Sequence, residues 1–147
     1  FIGRLSKEKN IEMLVDIFND LSDHTLTIIG TGPLEGYLKS KAKQNIKFIG
    51  QVVNQDLSNF FERNNILILT SIAEPWGLVI EEALYFGIPP IVSSSCGACV
   101  LIEEGVNGYV VDCNKSNHIK NTILKLNNDT YEELICTVDK FSLYNKD

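Results

Sequence analysis

An open, doubly wound α/β sheet with mostly parallel strands is the fold this sequence predicts, and three observations predict it. Apolar runs of four or five residues alternate with segments of about ten that carry helical periodicity. Glycines, alone or with proline, punctuate the ends of several of those runs. No repeat, low-complexity tract or linker interrupts the alternation, so the strands are expected to share one sheet covered on both faces.

Residues 1–5 read as the end of a strand, with Ser6 as the cap of the next helix. Ile11, Leu14, Val15, Phe18 and Leu21 then fall at helical spacing and define one buried stripe. Residues 26–29 form a short strand ended by Gly30-Thr31-Gly32-Pro33, and residues 34–43 a helix with a basic face. The strand at 46–49 is closed by Gly50, and the helix at 55–64 sets Leu57, Phe60 and Phe61 on one side. Residues 66–69 are a buried strand, and 78–86 combine helical length with strong helix formers. Pro89-Pro90 opens a strand at 91–93, and a turn or short helix covers 96–104. Residues 108–111 are the last strand, and helices at 117–126 and 131–141 finish the domain.

The 147 residues, 44% hydrophobic and 22% charged, suit one globular domain with a real core. A net charge of −6 argues against a nucleic-acid backbone as partner. No apolar run reaches membrane-span length and no signal peptide is visible. The chain opens at Phe1 without a Met and inside an expected strand, so it reads as a fragment of a longer protein. Four cysteines are too few for a disulfide scaffold and point to a reducing, intracellular setting.

In a doubly wound sheet the ligand sits at the carboxyl ends of the strands. Those ends carry Arg4, the 30–32 turn, Gly50-Gln51, residues 71–77 and residues 93–97. Arg4 and Lys9 flank the first strand-to-helix turn; surface charge accounts for such a pair, but at this edge of an acidic chain it also suits phosphate. Gly30-Thr31-Gly32-Pro33-Leu34-Glu35-Gly36 matches a dinucleotide fingerprint poorly, because Pro33 intrudes and no acidic residue ends the following strand. Cys96-Gly97-Ala98-Cys99 has redox-motif spacing, but small residues lining a turn explain it as well. Cys113, Cys136, His24 and His118 show no paired metal-ligand spacing, and both histidines are expected at the surface.

Glu74 and Glu82 are the strongest signal. They bracket a helix start whose first-turn N–H groups form an anion site. The helix dipole would favour acids there, yet Leu78, Val79, Ile80, Ala83, Leu84 and Phe86 make the helix apolar on most sides, so Glu82 is expected to be buried. A buried carboxylate needs hydrogen-bond donors, and sugar hydroxyls would serve beside a phosphate. Glu82 leans back toward the helix N-terminus, and Arg4 and Lys9 offset repulsion with a diphosphate. A nucleotide diphosphate-sugar satisfies all of these groups.

On these residues the chain resembles the C-terminal, donor-binding domain of a family 4 glycosyltransferase with the two-domain GT-B fold, a Rossmann-like half. The likeness is carried by Gly3-Arg4-Leu5 through Lys9-Asn10, Gly30-Thr31-Gly32-Pro33, Phe48-Ile49-Gly50-Gln51-Val52, and Glu74-Pro75-Trp76-Gly77-Leu78-Val79 with Glu82-Ala83. Gly87-Ile88-Pro89 and Gly105-Val106-Asn107-Gly108 extend it over most of the chain. The resemblance implies a retaining hexosyltransferase, with Arg4 and Lys9 on the donor diphosphate, Glu82 on the ribose and Glu74 facing the sugar. It sets backbone N–H groups around Gly77, Leu78 and Val79 on the distal phosphate, and Gly50-Gln51-Val52 against the nucleobase. It implies no cofactor and no divalent metal for binding, the sequence having no Asp-x-Asp motif. It further implies bacterial polysaccharide biosynthesis, a separate N-terminal acceptor domain, and a cytoplasmic protein at the periphery of the inner membrane face. Val100 stands where many members carry Glu, and Asn10 where glycine is common. A thiol–disulfide oxidoreductase at Cys96 and Cys99, or a non-catalytic nucleotide-binding module, are the competing classes.

Overall fold

The structure, a computed structural model, describes residues 1–144. Its strands are β1 (Leu26–Ile29), β2 (Ile46–Gly50), β3 (Leu67–Leu69), β4 (Pro90–Ser93) and β5 (Tyr109–Val111), and every ladder among them is parallel. The helices are α1 (Ile11–Asn19), α2 (Glu35–Lys41), α3 (Leu57–Glu62), α4 (Leu78–Tyr85), α5 (Ser116–Lys125) and α6 (Asn128–Tyr144). All five strands alternate with helices or helical turns, as the apolar pattern requires.

The sheet differs from the expected single ladder. Strands β1 and β2 form one group and β3-β4-β5 another. Residues 1–5 run beside β1 with only one isolated bridge, Ile2 to Ile29, because Gly3 N–H donates to Ile29 (2.9 Å) and Leu5 N–H to Thr31 (2.9 Å) while no ladder joins them to β3. A cleft of about 720 Å³ lies between the two groups, lined by Phe1, Leu26, Ile29, Leu67 and Ile68 among others. One continuous apolar core nevertheless spans both groups, from Leu5, Leu14 and Ile28 to Leu69, Ile80, Ile91 and Ile119.

The apolar stripe of α1 is buried as its spacing predicts, with Ile11, Leu14, Val15 and Phe18 inside. Helix α1 packs on α2 and α5, and α4 packs on α6 and β4. Ser6 does not cap α1. A 3₁₀ turn at Lys7–Lys9 intervenes, and the Ser6 hydroxyl donates to Glu8 Oε1 (2.6 Å) instead. Helix α1 starts after Asn10, which holds φ 53° in the left-handed region, where glycine is easiest and asparagine next. The Asn10 amide also donates to the Cys113 carbonyl (2.9 Å), tying this corner to the loop after β5.

The turn glycines at 30 and 32 have a steric cause. A Cβ on Gly30 would lie 1.9 Å from the Gly3 carbonyl oxygen, and one on Gly32 2.5 Å from the Leu5 carbonyl oxygen. The first two strand ends approach backbone to backbone, which requires glycine irrespective of any dinucleotide.

Candidate functional site

The carboxyl edge of the sheet is assembled from three loops that lock one another. The loop after residue 5 is fastened to the end of β3: Ile72 N–H donates to the Glu8 carbonyl (2.8 Å), and the Thr70 hydroxyl reaches the Lys9 carbonyl (3.4 Å). The loop after β3 is fastened to the loop after β4. Glu74 and Cys96 form a parallel bridge, Gly97 N–H donates to the Glu74 carbonyl (3.0 Å), and Ala98 N–H donates to the Trp76 carbonyl (2.8 Å). Gly97 is needed for that contact, since a Cβ there would fall 2.2 Å from the Pro75 carbonyl oxygen.

Within this frame Lys9 Nζ and Glu74 Oε2 form an ion pair, with side chains 20% and 15% exposed. Residues 65 positions apart in the chain thereby meet at one point. Next to them Gly77 precedes α4 with φ 96°, a conformation that favours glycine, and a Cβ on it would strike Cys96 Sγ at 2.7 Å. Helix α4 therefore begins against the Glu74 loop with no side-chain cap; the Ile80 N–H is spent on the Gly77 carbonyl (2.9 Å), which leaves those of Leu78 and Val79 as donors for an anion.

The other expected residues fall in different places. Arg4 is exposed, and its charge, with that of Lys9, helps hold the Glu8 carboxyl below its usual range, after the larger effects of the Ser6 hydroxyl and a backbone N–H. Glu82 is only half-buried, which corrects the expectation of a buried carboxylate. Helix α4 is not buried all round: Leu78 is 67% exposed, and Glu81, Tyr85 and Phe86 also reach the surface, so only Ile80, Ala83 and Leu84 are buried. Val79 is half-buried, and Gly50 closes β2 with φ 83°, its carbonyl accepting from Gly30 N–H (2.8 Å). Val52 is half-buried at the outer edge of the same sheet group. Val100 is 75% exposed on the 3₁₀ turn Gly97–Leu101.

Two features were missed in the sequence. The Ser71 hydroxyl is fully buried at the end of β3 and has no hydrogen-bond partner among the described residues. The Trp76 indole N–H is bonded to Glu81, so one of the acids beside the helix start is occupied by a side chain of the loop. His24 also departs from the surface expectation, being half-buried with Nδ1 unpartnered among the described residues. His118 is exposed as expected, and its Nδ1 accepts from Asp112 N–H (3.2 Å).

The cysteine pair is a packing feature. Cys96 is buried, its thiol donates to the Trp76 carbonyl (2.8 Å), and burial pushes that thiol above its ordinary pKa. A nucleophilic thiol needs the opposite shift. A titration with a thiol reagent is expected to show Cys96 reacting more slowly than a free cysteine at pH 8. A pKa below the free-thiol value would reopen the redox reading. All four cysteines are free, and no cluster of three or more metal-ligand residue types exists among the described residues. No helix among the described residues is long and apolar enough to cross a membrane.

Two clefts lie mainly outside this edge. One is the cleft between the sheet groups; another, about 480 Å³, lies between α1 and α5 beside Met13, Asp16 and Lys120. The chemistry-bearing groups sit at the loop rim, where Glu74, Lys9 and the start of α4 lie side by side.

A parallel α/β sheet with this edge defines the Rossmann-like domain of the GT-B glycosyltransferases. The profile of the family described as glycosyl transferases group 1 matches residues 1–137, and the chain belongs to that family. Among similar proteins, a GDP-mannose-dependent alpha-mannosyltransferase of Corynebacterium glutamicum is 33% identical over 112 residues, covering 76% of this chain and 27% of that protein. A 41.2 kDa protein of the cps region of Klebsiella pneumoniae is 31% identical over 121 residues, covering 81% of this chain and 34% of that one. The chain thus spans about a third of the length of the curated relatives it matches. The crystal structure of Anabaena Alr3699/HepE in complex with UDP superposes with a TM-score of 0.85 at 24% identity, over 99% of this chain and 43% of that one. The C-terminal domain of a Francisella tularensis group 1 glycosyl transferase gives 0.84 at 20% identity, over 98% of this chain and 83% of that one. At those identities the two structures establish the fold.

Proposed function

We propose that this chain is the donor-binding half of a retaining glycosyltransferase, moving a hexose from a nucleotide diphosphate-sugar to a glycan or lipid-linked acceptor. The observation that carries the reading is the meeting of Lys9 and Glu74 beside the uncapped start of α4. Lys9 and Arg4 take the diphosphate, the N–H groups around Gly77, Leu78 and Val79 take its distal phosphate, Glu82 the ribose, Glu74 the sugar, and Gly50 with Val52 the base. The similarity to a GDP-mannose-dependent enzyme, and to a fold neighbour solved with UDP-glucose, supports a hexose donor.

In the reaction the anomeric carbon–oxygen bond to the phosphate breaks as the acceptor oxygen bonds to the same face. The acceptor proton passes to the departing phosphate oxygen. Negative charge accumulates on that phosphate, which this reading assigns to Lys9, Arg4 and the helix N–H groups, so positioning and electrostatics supply the rate. No divalent metal enters this scheme. The acceptor half, and any attachment to the inner membrane face, belong to an N-terminal domain outside this sequence. The open rim is the surface that domain would cover, and bacterial polysaccharide assembly is the setting we assign.

Titration calorimetry with UDP, GDP and ADP, each with and without a linked hexose, tests the proposal. Binding of at least one nucleotide without turnover is expected. A folded chain that binds none of them would refute it.

A further inference from the structure

The Lys9–Glu74 pair joins two groups that, on the function proposed above, serve different parts of the donor. We infer that it is a ligand-exchanged latch: the donor diphosphate takes Lys9 from Glu74, and Glu74 becomes available to the sugar only then. The specificity this confers is for a hexose attached to a diphosphate, over a free hexose or a free nucleoside diphosphate.

The backbones on both sides are anchored. Lys9 N–H donates to the Ser6 carbonyl (3.1 Å), and its own carbonyl accepts from Thr70. Glu74 N–H donates to the Ser95 carbonyl (3.3 Å), and its carbonyl accepts from Gly97. The exchange is therefore a side-chain rotation. A lysine suits it, because an ammonium is a compact point charge on a flexible stem and can change partners without a fixed fork geometry.

Burial sets the direction of the coupling. Both side chains are largely screened from water, so a carboxylate that loses its lysine there needs new donors. A nucleoside diphosphate alone takes Lys9 and leaves Glu74 uncompensated. A diphosphate-linked sugar supplies hydroxyl donors and restores what the carboxylate lost. After transfer, the departing nucleoside diphosphate again leaves Glu74 without a partner, and the return of Lys9 to Glu74 favours release of that product.

A double-mutant cycle in calorimetry separates this from charge repulsion. The ligand is whichever of UDP, GDP and ADP the parent chain binds best. Glu74→Gln is expected to tighten the free nucleoside diphosphate by about three- to tenfold, and the same change in a Lys9→Met background to have no effect. The preference for the sugar-linked ligand is expected to fall in Glu74→Gln. No gain, or an equal gain in both backgrounds, overturns the latch and leaves the function standing. Failure of the parent chain to bind any nucleotide overturns the function and the latch together. If Lys9→Met melts below the working temperature, Lys9→Gln, which keeps an N–H donor toward Glu74, carries the same cycle.

Discussion

Replacing Glu82 by alanine is expected to weaken binding of a free nucleoside diphosphate about ten- to hundredfold. Hydrogen bonds to a charged group contribute roughly 1.5–3 kcal/mol, and a ribose diol gives up its acceptor when the carboxylate is removed. The effect is the same with or without a sugar on the diphosphate, because the ribose is common to both ligands. Glu74 variants are expected to keep their affinity for the free nucleoside diphosphate and to lose discrimination for the sugar instead. Since Glu82 is half-buried and bonded to no described side chain, the fold tolerates its removal, and the melting temperature is expected to stay within a few degrees of the parent. Calorimetry with the two ligands checks the assignment. Equal losses for both ligands in both mutants contradict it.

Gly30→Ala is expected to have the largest effect on stability. Its Cβ would meet the Gly3 carbonyl oxygen at 1.9 Å and carbon at 2.9 Å, and the residue already holds φ 129°. The obstacle is backbone on both sides, so no side chain can rotate to relieve it. Relief means separating residues 1–5 from β1, which breaks the bonds from Gly3 to Ile29 and from Leu5 to Thr31. Strain and overpacking of this kind cost about 3 kcal/mol or more. For a chain of this size that lowers the melting temperature by about 6–12 °C. Gly36→Ala in α2 is the control. Nothing lies within 4 Å of its Cβ, and alanine is expected to stabilise the helix by about 0.5–1 kcal/mol. Equal melting shifts in the two variants would mean that the close approach at Gly30 is absent in solution. Arg4 follows Gly3 directly, so Gly30→Ala is also expected to displace the arginine assigned to the diphosphate.

Much of this fold was legible because its information is local. Apolar periods near 3.6 in α1 and short apolar runs at β1, β3 and β4 report which faces are buried, and burial follows them. Glu74 could be singled out from type and spacing alone, as an acid in a loop between a buried strand and a helix. Glu82 was placed correctly on the helix, but its burial was not. Apolar residues alone do not bury a helix on all sides; that depends on how many neighbours pack on it, and Leu78, 67% exposed, shows that α4 is not covered all round.

Sequence by itself determined the alternation of strands and helices, and it set Glu74 and the start of α4 at the carboxyl end of β3. Only the tertiary structure decided that the ladders fall into two groups, that the turn glycines serve a backbone contact, that Cys96 packs under Gly77, and that Lys9 already holds Glu74. The physical reason is reach. Periodicity and turn chemistry act over a few residues. A contact between positions 9 and 74 depends on how the Ser6–Asn10 loop, the end of β3 and the Ser95–Gly97 backbone lock together, and no single stretch of chain contains that information. The Glu74–Glu82 pair is thereby split, with one carboxylate held by a lysine and the other half-buried on α4.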